Sequence, residues 1–321
     1  MKNIINTNGF SVRLAFGLAL IFVLATAGFA QIKLRNALDY DGDGKADYGV
    51  FRNGDSTWYN LKSSGGFVAQ QFGISNFDTL TPGDYDGDGK GDYAVWRYTD
   101  RYWYVLNSAT NTISYTQFGI VGDEPMQRDY DGDGKTDVAV VRRTNGKMIW
   151  YVLGSTAGFS ALQFGLSTDN AAPGDYDGDG KFDIAIYRQG ATVGEQSYFW
   201  IRRSNDGLVQ ASAWGTFGDV VVPGDYDGDG KTDVAVMRRV APDLIWYVLR
   251  SSDGNFTALQ FGLTETDVAT QNDYDGDGKT DFSVWRETDG TFYIFRSSDS
   301  IVSGFSWGLI SDSPIAAYDS H

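Results

Sequence analysis

From residue 39 onward the chain alternates short apolar runs with dense polar stretches, and the alternation itself recurs. One run reads "YGVFR", "YAVWR", "VAVVR", "IAIYR", "VAVMR" and "FSVWR" in turn. A second carries an aromatic centre: "TWYNL", "YWYVL", "IWYVL", "FWIR", "IWYVL" and "TFYIF". A third ends in an aromatic-glycine pair at Phe72-Gly73, Phe118-Gly119, Phe164-Gly165, Trp214-Gly215, Phe261-Gly262 and Trp307-Gly308. A short fourth run, often with proline, leads into the next polar stretch. β-Branched and aromatic residues fill the runs, and Gly, Asn, Ser and Asp fill the gaps, which predicts strands joined by turns. The runs are apolar on both faces, as strands sandwiched between neighbouring sheets must be.

The polar stretch before each first run is nearly constant: "DYDGDGKAD" (39–47), "DYDGDGKGD" (84–92), "DYDGDGKTD" (129–137), "DYDGDGKFD" (175–183), "DYDGDGKTD" (225–233) and "DYDGDGKTD" (273–281). Successive starts are 45, 45, 46, 50 and 48 residues apart, a period that signals a repeat array or a propeller. Four strands of about five residues plus turns fill one period. The expectation is an all-β fold: a β-propeller of six four-stranded blades, occupying residues 31–321 as a single domain. A ring must join its last blade to its first. Residues 32–38 ("IKLRNAL") and 313–319 ("SPIAAYD") each supply a fourth-run equivalent. One seals the seam and the other is a spare or edge strand; the sequence leaves the choice open.

Composition narrows the chemistry. Of 42 acidic residues 38 are aspartate, and 24 of these lie in the six acidic strings, so the net charge of −16 is a local device. Such a chain does not favour nucleic acid, whose phosphates need lysine and arginine. It needs cations. There is no cysteine, and the one histidine is His321, which removes thiolate metal sites and most proton-transfer chemistry. Residues 1–30 place Lys2 and Arg13 before the apolar run "LAFGLALIFVLATAGFA", which reads as a secretory signal peptide cleaved after Ala30, with an uncleaved anchor as the alternative. The mature chain then carries −18, since the removed segment contributes +2. It has no membrane span and is secreted, displayed at the cell surface or periplasmic.

With the first aspartate of each loop as position 1, carboxylates fall at 1, 3, 5 and 9 and a glycine at 6. The candidate metal ligands are Asp39, Asp41, Asp43 and Asp47; Asp84, Asp86, Asp88 and Asp92; Asp129, Asp131, Asp133 and Asp137; Asp175, Asp177, Asp179 and Asp183; Asp225, Asp227, Asp229 and Asp233; Asp273, Asp275, Asp277 and Asp281. All-oxygen ligation with a glycine-enabled turn suits Ca²⁺ better than Mg²⁺, which demands a tighter octahedron. The expectation is about six structural Ca²⁺ ions, one per loop, with the position-7 lysine (Lys45 in the first loop) pointing its ammonium to solvent. An EF-hand is rejected at position 12, where a bidentate glutamate is required but Val50, Val95, Val140, Ile186, Val236 and Val284 stand.

The string DxDxDGxxD between strands, with Phe-Gly in each period, resembles the FG-GAP/VCBS repeat family, best known from the calcium-studded propeller of integrin α-subunits. The resemblance covers residues 32–319. It implies calcium binding and extracellular recognition or adhesion of a glycan or protein, without naming the ligand. The integrin type has seven blades, so seven stands as the alternative count.

Trp58, Trp103, Trp150, Trp200, Trp246 and Phe292 recur once per module and are expected to pack between blades. Arg52, Arg97, Arg142, Arg188, Arg238 and Arg286 are expected to pair internally with Asp78, Asp123, Asp169, Asp219, Asp267 and Asp312. The fourth module breaks the repeat with "QGATVGEQS" (189–197) and with Arg202 and Arg203, read as lying beside Glu195. The expected function is recognition without catalysis. A carbohydrate-active enzyme of lyase type and a structural surface component are the alternatives, and oligomeric state is not legible.

Overall fold

The computed structural model describes residues 37–316. The signal-peptide segment 1–30 lies outside the described residues, as do residues 31–36 and 317–321. Apart from a 3₁₀ turn at Ala37–Leu38, every described regular element is a strand. Among the described residues no helix is long and apolar enough to cross a membrane.

Twenty-four strands, β1 to β24 in chain order, form six four-stranded antiparallel sheets, the blades of a propeller. Six blades form, and the seven-blade alternative falls away. The second blade shows the plan: β4 (Asp78–Leu80) innermost, then β5 (Tyr93–Arg97), β6 (Tyr102–Leu106) and β7 (Ile113–Gln117) at the rim. The first blade differs in its chain order. Its β1 (Tyr48–Arg52), β2 (Thr57–Leu61) and β3 (Phe67–Gln71) take β24 (Asp312–Pro314) as their innermost strand. Val50 pairs with Pro314 and Arg52 with Asp312, so the C-terminal segment seals the ring. The N-terminal counterpart, as far as it is described, is a turn in which the Leu38 carbonyl accepts the Asp47 N–H at 2.8 Å.

Between blades the second-strand aromatics interlock. Trp58, Trp103, Trp150, Trp246 and Phe292 are all buried, as the repeat predicts. The fourth blade departs from it. There Phe199 is the fully buried residue, facing Tyr187 as Trp103 faces Trp96, while Trp200 is only half-buried. The alternation of strand β14 (Gln196–Arg202) decides this, because neighbouring side chains point to opposite faces. Trp200 instead occupies the slot where Tyr59, Tyr104, Tyr151, Tyr247 and Tyr293 lie under an arginine, with Arg188 6.0 Å from its ring centre.

The arginines pair as expected. Arg97, Arg142, Arg188, Arg238 and Arg286 each form a bidentate pair with the aspartate whose buried side chain opens or immediately precedes the innermost strand of the same blade. The same carboxylates accept the N–H following each aromatic-glycine pair, as Asp78 does from Ile74 at 2.7 Å. Each aspartate therefore ties its strand to the preceding blade's last turn.

Candidate functional site

The six acidic loops lie at one end of the propeller: five run from an innermost strand to its neighbour, and the first runs from the Ala37–Leu38 turn into β1. The four aspartates of a loop divide into two kinds. Those at positions 1 and 9 turn inward. In the first loop Asp39 accepts the N–H groups of Gly42 and Gly44 at 2.6 and 2.8 Å, and Asp47 those of Tyr40 and Ser63 at 2.9 and 2.7 Å. These two are 2% and 1% exposed, whereas Asp43 is exposed. The inner pair thus shapes the loop through backbone hydrogen bonds, in addition to any role as ligands.

A serine just past the second strand was not singled out from sequence, yet it completes the site. Ser63, Ser108, Ser155, Ser204, Ser251 and Ser297 donate their backbone N–H to the position-9 carboxylate at 2.6–2.7 Å. Their hydroxyls donate to the position-5 carboxylate, at 2.6 Å for Ser155 and Asp133. The signal was present: serine recurs two residues after the end of each second run, in "LKSS", "LNSA", "LGST", "RRSN", "LRSS" and "FRSS".

The electrostatics of the loops are compatible with a cation. Burial raises the position-9 carboxyls, taking Asp47, Asp137 and Asp281 to about 6 and Asp183 and Asp233 to about 7. The facing position-3 carboxylate acts in the same direction. Carboxylate oxygens of Asp39, Asp41 and Asp43 lie within 4.8 Å of one another, as do those of Asp84, Asp86 and Asp92, and three further loops do likewise. Asp131 supplies a sharper test of fit. Its Oδ2 accepts the N–H groups of Thr156 and Ala157, but its Oδ1 is buried without a hydrogen-bond partner. A buried carboxylate oxygen left unpaired is costly, and a hard cation satisfies it. The clusters are able to hold metal ions.

The loops are also joined to one another. The position-8 N–H of each loop donates to the position-1 carbonyl of the loop before it: Gly91 to Asp39, Thr136 to Asp84, Phe182 to Asp129, Thr232 to Asp175 and Thr280 to Asp225, at 2.6–2.8 Å. Ala46 to Asp273, at 2.8 Å, closes the circle. The stem of the position-7 lysine is a second link. It lies across the position-4 glycine of the preceding loop, so a Cβ on Gly276 would sit 3.0 Å from Lys45 Cγ. That glycine also has φ of +80°, a conformation that L side chains rarely adopt.

A second feature runs along the axis. A cavity of about 880 Å³ opens between the innermost strands of all six blades, touching Leu80, Pro125, Ala171, Val221, Ala269 and Pro314 in turn. Its polar lining includes Glu124, Arg143, Gln189 and Arg239, at positions where the repeat is not kept.

The unrepeated groups of the fourth module are not brought together. Glu195 precedes β14 and Arg202 ends it, which places them about 20 Å apart at opposite ends of the strand. Each is used locally. Glu195 accepts the Ala191 N–H at 2.7 Å, Arg202 donates to the Gly207 carbonyl at 2.8 Å, and Arg203 pairs with Asp206.

A family described as FG-GAP-like repeat matches residues 129–186, from the third acidic loop to the first long strand of the fourth blade. The chain is thus a six-bladed propeller that carries an FG-GAP-like repeat. No curated protein matches its sequence significantly. Among solved structures, this FG-GAP-like propeller is similar to a candidate 6-phosphogluconolactonase from Bacteroides fragilis, at 13% identity and a TM-score of 0.46, covering 86% of this chain and 97% of that one. It is also similar to a catalytically inactive virginiamycin B lyase from Staphylococcus aureus with quinupristin, at 10% identity and a TM-score of 0.43, covering 85% and 88%.

Proposed function

We propose that this FG-GAP-like propeller is an exported calcium-binding recognition module, which binds a glycan or protein partner and does not catalyse a reaction. The observation that carries the reading is the dispersal of the fourth module's unrepeated titratable groups. Catalysis needs one constellation of such groups within reach of a substrate. Here Glu195 and Arg202 stand at opposite ends of a strand, and the repeated arginines are each held by an aspartate.

Calcium is the cation favoured by the donor set. Asp131, Asp133 and their counterparts would hold it, the buried position-1 and position-9 carboxylates would fix the loop around it, and its charge would relieve the repulsion among four carboxylates. When bound it would serve as a structural cross-link. Six Ca²⁺ would add +12 and take the mature chain from −18 to −6. Six similar blades also offer several similar surfaces, on which weak contacts add by multivalency.

Elemental analysis after gel filtration in calcium is expected to find about six ions per chain, as the six loops imply; two or fewer would overturn the metal assignment. Retention on a glycan array, lost in chelator, is the expected recognition signal. Reproducible turnover of pectin-like or uronate polymers would replace recognition with the carbohydrate-active reading.

A further inference from the structure

The fifth blade carries an arginine whose counterpart in the third blade shows what it is built to hold. Arg143 and Arg239 occupy the same register position, each two residues beyond the partner of the residue following the strand-opening aspartate: Glu124 faces Val141, and Val220 faces Met237. Both arginines use Nη1 to reach the turn that leads into the next blade, Arg143 to the Ser167 and Asp169 carbonyls and Arg239 to the Thr264 carbonyl. Arg143 then closes its planar fork on Glu124, with Nε and Nη2 at 2.6 and 3.0 Å from the two carboxylate oxygens. In the fifth blade the glutamate is replaced by Val220, and among the described residues the Nε and Nη2 of Arg239 have no acid partner.

We propose that Arg239 and the axial channel behind it form a binding site for a small organic carboxylate with an apolar body. The carboxylate takes, against Arg239, the place that Glu124 takes against Arg143. Fork-to-fork pairing of this kind is the strong, geometrically specific mode of arginine recognition. Val220 and Val221 beside the fork, with Met237, Ala269 and Ile315 on the wall, present an apolar surface to the rest of the ligand. At about 880 Å³ the channel falls within the size range of small-molecule sites. On a chain with a net charge of −16, an exposed arginine without an acid partner on this channel is a specific place for an anion. The inference is independent of what the rim of the propeller recognises, and of the cation loops.

Isothermal titration calorimetry on the calcium-loaded mature chain, with octanoate, octanol and galacturonate as probes, tests it. Octanoate is expected to bind, with octanol and galacturonate each at least tenfold weaker. Arg239→Ala should weaken octanoate tenfold or more. Val220→Glu should do the same by supplying the fork with an internal carboxylate, without lowering the melting temperature. Equal binding of octanoate and octanol, absence of octanoate binding, or unchanged binding in the folded Val220→Glu chain would overturn the carboxylate site. Preference for galacturonate over octanoate would overturn the apolar body of the ligand. Retention on a glycan array is measured separately, so failure here leaves the recognition reading standing, and the reverse holds too.

Discussion

Arg52 and Asp312, 260 residues apart in the chain, form a bidentate ion pair at 2.8 and 2.9 Å. Five equivalent pairs join strands within one stretch of chain, each 19 residues apart. This one fastens the last strand to the first blade. The Asp312 side chain is fully buried, so removing its charge leaves the guanidinium without its partner at the seam. Asp312→Ala is expected to cost about 3–5 kcal/mol. Urea melts should show it at least as destabilised as Asp123→Ala, which breaks the equivalent pair inside the third blade. A loss under 1 kcal/mol would mean that the seam does not rest on this pair.

The lysine laid across the neighbouring loop predicts an unusual pair of effects. Gly276→Ala is expected to lose about 1–2 kcal/mol from its left-handed backbone and more from collision with Lys45. Lys45→Ala should relieve only the second part. A double-mutant cycle by thermal or urea melts should therefore show partial rescue of Gly276→Ala by Lys45→Ala. Strict additivity would show that the stem does not constrain the glycine.

Asp131 holds a buried oxygen without a protein partner, and so reports on the metal of a single loop. Asp131→Asn is expected to lower the calcium content by about one ion per chain, because one of several hard-oxygen ligands is weakened. The other loops should keep theirs. Metal content of the folded variant by elemental analysis decides the matter, and an unchanged content would remove Asp131 from the ligand set.

The register of the fourth blade predicts a contrast between adjacent aromatics. Phe199→Ala, at a fully buried position, should cost about 3–5 kcal/mol. Trp200→Tyr should be nearly neutral, since tyrosine fills the same slot beneath the arginine in the other five blades. Equal losses at the two positions would contradict the assigned alternation.

What the sequence by itself determined was whatever repeats locally. Strand runs, turns, the 1-3-5-9 aspartates and a period near 45 residues are short-range patterns, and each is written six times. Blade architecture and the position of the acidic loops followed from them. The Arg–Asp pairs were legible for the same reason, since both partners recur once per module. What only the tertiary structure decided was pairing across the repeat. Two terminal segments had equivalent run patterns, and the pairing of β24 with β1 selects the C-terminal one. Trp200 aligned with the other tryptophans by type, but strand alternation put Phe199 in the core, because a shift of one residue exchanges the two faces of a strand. The contact of the Lys45 stem with Gly276 was not legible, because that glycine lies on the loop of another blade. Arg143 and Arg239 were not singled out from sequence; the facing strand supplies a glutamate to one and a valine to the other. Such facts depend on which strand lies alongside, and that is fixed by closure of the ring, not by any local run of residues.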